Sequence, residues 1–193
     1  VLAEDTRKSK ILFKKHAITT SLKSYHINNE HRVVNLYVAS LVDGKKIALV
    51  SDAGTPSISD PGFLLIRESI KKNIEIICLP GATALIPALV MSGLPSEKFV
   101  FEGFLPKKKG RDSRLKELAI EKRTVILYES PQRVRKTLED LKEFFGSDRR
   151  ISLSREISKI YEETYRGTIE DAIAHFSNKN PKGEFVICID KQG

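Results

Sequence analysis

The stretch LVSDAGTPSISDPG, Leu49–Gly62, decides how the rest of the chain is read. An apolar run, IALV, ends in it, and the residues after that run are glycine, proline and hydroxyls with little bulk, flanked by Asp52 and Asp60. A buried strand ending in a small polar loop opens a strand–loop–helix unit. In open α/β sheets ligands bind outside the carboxyl ends of such strands. Glycine and small side chains admit an extended ligand to the backbone, while hydroxyls and carboxylates bond its polar edges. The loop is not a phosphate loop: no lysine follows Gly62, and the two aspartates repel phosphate. No Gly-x-Gly-x-x-Gly opens a helix either. An acidic, glycine-bearing loop suits a neutral or cationic ligand carrying a ribose and amino groups, a description that S-adenosylmethionine fits. The plainer reading is a tight turn in which Asp60 caps the next helix.

Outward from this loop the chain alternates β-rich runs with amphipathic stretches. Helices are predicted at DTRKSKILFKKH, NNEHRVVNLYVASLV, PGFLLIRESIKKN, ATALIPALVMSG, RDSRLKELAIEKR, PQRVRKTLEDLKEFF and TIEDAIAHFSNK. Strands are predicted at SLKSYHI, KKIALVSD, IEIICLP, KFVFEGF, TVILYES, RISLSREI, EETYRGT and GEFVICID. Asp60-Pro61 and Ser130-Pro131 each place an N-cap acceptor before a proline at a helix start, and TIED, Thr168–Asp171, reads as a capping box. The alternation predicts two α/β lobes, about residues 1–96 and 97–193, meeting at SGLPSEKF and enclosing a cleft. In the second, three late strands share one helix, which predicts a mixed sheet. The unusual residues gather at strand ends: Ser51–Pro56, Leu79–Ala84, Tyr128–Arg133 and Arg155-Glu156.

Of the 193 residues, 40% are hydrophobic and 30% charged, a globular balance, and no apolar run approaches the roughly 20 residues that span a bilayer. The start, VLAEDTRKSK, has no signal-peptide pattern, and Cys78 and Cys188 sit in apolar runs without disulfide or metal spacing. They are expected to be buried strand cysteines in a cytoplasmic protein. The net charge of +8 collects at residues 6–15, 107–114, 132–136 and 148–150, and such an excess favours a polyanionic partner such as RNA. The bland reading is lysines that solvate helix faces. His16, His26, His31 and His175 are scattered, with no metal spacing.

AEDTR (3–7), SDAGTPSISDPG (51–62), LPGATALIPALVMSGLP (79–95), FEGFLPKKKGRDSRL (101–115), LYESPQRVRKTLEDL (127–141), SREISKIYEETYRGTIEDA (154–172) and GEFVICI (183–189) occur in that order. Together they resemble the branch of the tetrapyrrole methylase superfamily that methylates small-subunit ribosomal RNA. The resemblance covers nearly the whole chain. It implies the class III S-adenosylmethionine methyltransferase fold, with two α/β lobes, the cofactor folded between them, no metal, and a homodimer. It implies 2′-O-methylation of a cytidine ribose in the decoding centre of 16S rRNA. By motif, Asp52, Ala53, Gly54, Thr55, Ile58, Thr83, Ala84, Tyr128, Gly167 and Thr168 are expected at the cofactor. Relatives begin about one βα unit earlier, so a first strand is expected to be missing here. Gln132 stands where relatives more often carry histidine.

Methyl transfer aligns oxygen, carbon and sulfur in line and removes a proton from a weakly acidic hydroxyl. The candidate acceptors are Glu129 and Asp5, with Glu156 a third. Against them stand plainer roles: Glu129 pairing with Arg133 four residues on, Asp5 and Arg7 positioning RNA, and Glu156 pairing with Arg155. Arg7, Lys107, Lys108, Lys109, Arg111, Arg133, Arg135 and Arg155 are the expected RNA-binding cations. Two other readings stand beside this one: a relative that methylates a tetrapyrrole or other small molecule, and a non-catalytic RNA-binding relative. A tetrapyrrole enzyme calls for a wide apolar cleft, whereas this chain has no tryptophan and a strongly basic second lobe.

Overall fold

The computed structural model describes residues 1–177 and 181–192. The chain forms two compact units, Val1–Thr83 and Ala84–Gly193, each α/β with its own sheet. Residues 84–96, read from sequence as the end of the first lobe, lie in the second unit. There Leu85, Ala88, Leu89 and Leu94 bury against Ile126, Val186 and Cys188.

In the first unit, β1 (Leu2–Ala3) runs between β2 (Lys23–Ser24) and β3 (Leu49–Val50), parallel to both. Three helices accompany it: α1 (Thr6–Lys15), α2 (Glu30–Val42) and α3 (Phe63–Ile70). The apolar stripe of α2 buries Val34 and Val38 in a core with Leu2, Tyr25 and Leu65, as its helical spacing predicts. The predicted strand IEIICLP does not form. Strands exist by ladder bonds, and residues 75–80 make none among the described residues, so Ile77 and Leu79 are 75% and 78% exposed. Cys78 is likewise exposed, contrary to the buried strand position expected for it. Asp60-Pro61 does not start α3: Gly62, at φ 144°, intervenes as N-cap, so the proline lies before the helix.

The second unit holds a five-stranded mixed sheet in the order β4 (Phe99–Phe104), β5 (Thr124–Glu129), β8 (Phe185–Ile189), β6 (Arg150–Arg155), β7 (Glu163–Thr168). Only β4 and β5 are parallel. Alternate side chains of β5 face opposite ways. Val125 and Leu127 pack under α5 (Arg111–Ala119), α6 (Val134–Phe145) and α7 (Ile169–Ser177), while Ile126 packs under α4 (Leu85–Ser92). The sheet is therefore covered on both faces, as its unbroken apolar runs require. Ser130-Pro131 forms a turn rather than the helix start: the Ser130 carbonyl accepts from the amides of Arg133 and Val134, and α6 begins at Val134. The capping box forms as read, with Thr168 Oγ1 donating to Asp171 Oδ2 at 2.7 Å and the Asp171 amide donating back to Thr168 Oγ1 at 3.1 Å. The last residues of that predicted helix, Asn178 and Lys179, lie outside the described residues. Among the described residues no helix is long and apolar enough to cross a membrane.

Candidate functional site

Two strand tips of the first unit are tied together. The Asp5 amide donates to Asp52 Oδ1 at 3.1 Å, the Asp52 amide donates to Glu4 Oε2 at 3.2 Å, and Lys8 Nζ lies 2.7 Å from Asp52 Oδ2. Lys8 thus matches the Asp52 charge, which is not left unpaired for a cationic ligand. Asp5 caps α1 by accepting from the Arg7 amide at 2.8 Å, and Arg7 Nη2 grips its other oxygen at 2.7 Å. The Arg7 side chain first, and then its amide, hold the Asp5 carboxyl well below the usual carboxylate range. A depressed carboxylate contributes stability above its unfolded value of about 3.9 and loses it only as pH falls towards the folded value. The pair therefore stays charged through neutrality and mild acid.

The loop after β3 is held by its own hydroxyls. Ser51 Oγ donates to the Gly54 carbonyl at 2.8 Å, and Thr55 Oγ1 donates to the Ala82 carbonyl at 3.1 Å. Gly54 has φ +78°, and a Cβ there would stand 3.1 Å from that same carbonyl oxygen. Only glycine lets these two loops approach without strain. Ala53, Gly54 and Ile58 are exposed, so the loop presents backbone and small apolar surface outward. Thr83 closes this unit, next to the exposed Ala84, the N-cap of α4.

In the second unit Tyr128 accepts from the Leu85 amide at 3.2 Å, beside Ala84, and packs edge-on against Phe101 and Phe104. Gly167 sits in the edge strand β7, where a Cβ would meet the Tyr165 hydroxyl at 2.7 Å, and Thr168 is engaged by Asp171. Glu129 is 2% exposed, and its carboxylate is fully engaged. Oε1 accepts from the Ser130 amide at 2.7 Å and lies 3.5 Å from Arg133 Nε, the pairing its i,i+4 spacing suggested. Oε2 accepts from Thr137 Oγ1 at 2.7 Å. This carboxylate is enclosed by side chains that hold its place, and a proton acceptor must reach its substrate.

The same network contains Arg111, 5% exposed. It donates to Asp140 Oδ2 at 2.7 Å, to Thr137 Oγ1 at 2.9 Å and to the Pro106 carbonyl at 3.0 Å. Expected to lie on the surface against RNA, Arg111 is instead a buried brace between the 106–111 loop and α6. Arg135 faces elsewhere, donating to the Phe176 carbonyl of α7 at 3.1 Å. Lys107, Lys108 and Lys109 are exposed on the loop before α5. Arg155 pairs with Glu163 at 2.7 Å, not with Glu156, which pairs with Lys159 at 2.9 Å. Thr137 and Asp140 escaped the sequence reading, and Lys8 and Lys136 entered it only as members of the basic runs 6–15 and 132–136. Residues 133, 136, 137 and 140 share one face of α6 at helical spacing, the signal that marks three of these four. Among the described residues no group of three or more His, Cys, Asp or Glu side chains is placed to hold a metal ion.

The family model for Tetrapyrrole (Corrin/Porphyrin) Methylases matches residues 1–173. A protein of Synechocystis sp. named ribosomal RNA small subunit methyltransferase I is 50% identical over 98% of this chain and 68% of its own. One of the same name from Thermotoga maritima is 42% identical over 98% of this chain and 85% of its own. Solved structures share the fold at low identity. Diphthine synthase superposes with TM-score 0.70 at 12% identity, over 99% of this chain and 78% of that one. Uroporphyrin-III C-methyl transferase from Thermus thermophilus, in complex with S-adenyl homocysteine, superposes with TM-score 0.61 at 16% identity, over 97% and 83%. The order of motifs, the two α/β units and these matches agree: the chain belongs to the tetrapyrrole methylase family, and it is a methyltransferase.

Proposed function

We propose that this chain transfers a methyl group from S-adenosylmethionine to the 2′-oxygen of a cytidine ribose in small-subunit ribosomal RNA. The observation that carries this reading is identity of 42–50% over nearly the whole chain to relatives named for that RNA. The net charge of +8 supports it. S-adenosylmethionine supplies a methyl group already activated on a sulfonium, so the protein's part is to bind, align and exclude water. The loop after β3 fits that cofactor: Gly54 and Ala53 leave its backbone open, Thr55 pins it to the Ala82 carbonyl, and Ile58 offers an apolar surface to a base. By the motifs that carry the resemblance, Thr83, Ala84, Tyr128, Gly167 and Thr168 are the further residues proposed for the cofactor, while Asp52 holds the tip of its own strand through Lys8.

The enclosed Glu129 positions the 128–133 turn. Asp5, paired with Arg7 at the tip of β1, orients the substrate ribose. Asp5→Asn keeps a helix cap and removes the charge. The expected result is a loss of kcat/KM for RNA of between about 10- and 100-fold, as for a displaced reacting group, with cofactor affinity unchanged. Because Asp5 stays ionised, the ratio of wild-type to variant rate is expected to be the same from roughly pH 5.5 to 8. A ratio that collapses towards pH 5.5 would mean that Asp5 titrates in the reaction. The reading as a whole is tested by nucleoside mass spectrometry on small subunits from cells lacking this enzyme, incubated with the protein and cofactor. A gain of 2′-O-methylcytidine supports it; methylation of uroporphyrinogen instead would reassign the substrate.

A further inference from the structure

Above the buried network of the second unit lies a cavity of about 180 Å³ lined by Lys107, Arg111, Arg133, Lys136 and Thr137. Four of these five side chains are cations. Among the described residues the carboxylates in direct contact with them are two, Asp140 with Arg111 and Lys136, and Glu129 with Arg133. The cavity thus carries two positive charges beyond its counter-charges. Lys107 makes no ion pair among the described residues, and Lys136 is 73% exposed in its side chain. Arg111 and Thr137 are buried and fixed by hydrogen bonds, and Arg133 is held by the Leu105 carbonyl at 2.9 Å. The walls are fixed, and the excess charge sits at the rim. The first turns of α5 and α6 both open here, Arg111 leading one helix and Arg133 capping the other, which adds their positive dipole ends. The volume is below the roughly 300–1,000 Å³ of pockets that take a whole small-molecule ligand. It exceeds the about 30 Å³ share of one water molecule.

We propose that this cavity seats a single backbone phosphate of the RNA, with Lys107 and Lys136 closing over it, Arg133 at its side, and Arg111 and Thr137 as an immobile floor. The assignment rests on the proposed RNA substrate. It replaces a spread of independent surface contacts by one seat, and it brings in Lys136. Planar guanidinium donors and paired ammonium groups match a tetrahedral oxyanion.

The test is the binding of a short single-stranded RNA to the whole chain across a salt series, with Lys107→Ala, Lys136→Ala and the double variant. Each phosphate neutralised on a single strand contributes about 0.7 to the slope of log K against log salt. One shared seat predicts that the double variant lowers the slope by about 0.7 in all, with each single variant lowering it by no more than that. A double variant that lowers the slope by about 1.4, or leaves it unchanged, overturns the proposal. Cofactor affinity and the urea midpoint are expected to stay as in the wild type, and a fall in either with no change of slope also overturns it. Phosphorus NMR of inorganic phosphate separates the seat from the RNA reading. If the wild-type chain binds no RNA, that reading fails. The seat then stands if wild type broadens the phosphate line and the double variant does not, and falls if neither does.

Discussion

Replacing Arg111 by alanine is expected to lower the stability of the second unit by about 3–5 kcal/mol, the cost of removing one partner from a buried ion pair. Asp140 would keep only Lys136, at 3.2 Å, while the Pro106 carbonyl and Thr137 would lose their donor. Buried polar groups left without partners cost about 1–3 kcal/mol each, so the loss spreads through Thr137 to Glu129. Lysine is not expected to rescue it, because one ammonium cannot reach the three acceptors that a guanidinium fork spans. Lys109→Ala, on the exposed loop nearby, should lie within about 0.5 kcal/mol of wild type. Urea unfolding followed by far-ultraviolet circular dichroism checks both. An Arg111→Ala chain as stable as wild type, with weakened RNA binding alone, would return Arg111 to the surface role that its sequence context suggested.

The second large effect is expected at Gly54. Valine there must take φ +78°, which β-branched residues avoid, and must push its Cβ against the Ala82 carbonyl at 3.1 Å. Strain of this kind costs about 1–3 kcal/mol, and each 1.4 kcal/mol passed on to binding is about tenfold in Kd. The loops at 53–55 and 82–83 would part, and S-adenosylmethionine affinity should fall by about 10- to 100-fold. The sheet of the second unit should keep its circular dichroism signal. Thr55→Val removes only the hydrogen bond to Ala82 and is expected to cost less, about 0.5–1.5 kcal/mol. Titration calorimetry with the cofactor measures both. Wild-type affinity in Gly54→Val would mean that this loop does not carry the cofactor.

The features legible in the sequence were the local ones. β5 and β8 announce themselves as unbroken apolar runs because both faces of their sheet are covered. Thr168–Asp171 reads as a capping box because its partners are three residues apart. Glu129 and Arg133 read as a pair because they lie four residues apart, and the turn at 130–133 between β5 and α6 brings them to 3.5 Å. The hidden features depend on distant partners. IEIICLP has the composition of a strand but makes no ladder, and composition does not supply a neighbour. Gly62 delays α3 through a backbone angle that Asp60-Pro61 does not reveal. Lys8 reaches Asp52 across 44 residues and Arg111 reaches Thr137 across 26, so an acidic loop turned out to be charge-matched and a surface arginine turned out to be buried. The small residues at 53–55 were read as room for a ligand, and what the fold brings against Gly54 is the Ala82 carbonyl of a neighbouring loop, a partner 28 residues away that composition does not name.

Whether this methyltransferase acts on a ribose oxygen of RNA is decided by following a labelled methyl group. S-adenosylmethionine labelled in its methyl is incubated with the protein and small ribosomal subunits that lack the modification, and the RNA is then hydrolysed in alkali. A methylated 2′-oxygen cannot attack the neighbouring phosphate, so label is expected in an alkali-resistant dinucleotide that begins with cytidine. Label released in single nucleotides, or cofactor bound with no label entering the RNA, would contradict a ribose oxygen as the acceptor.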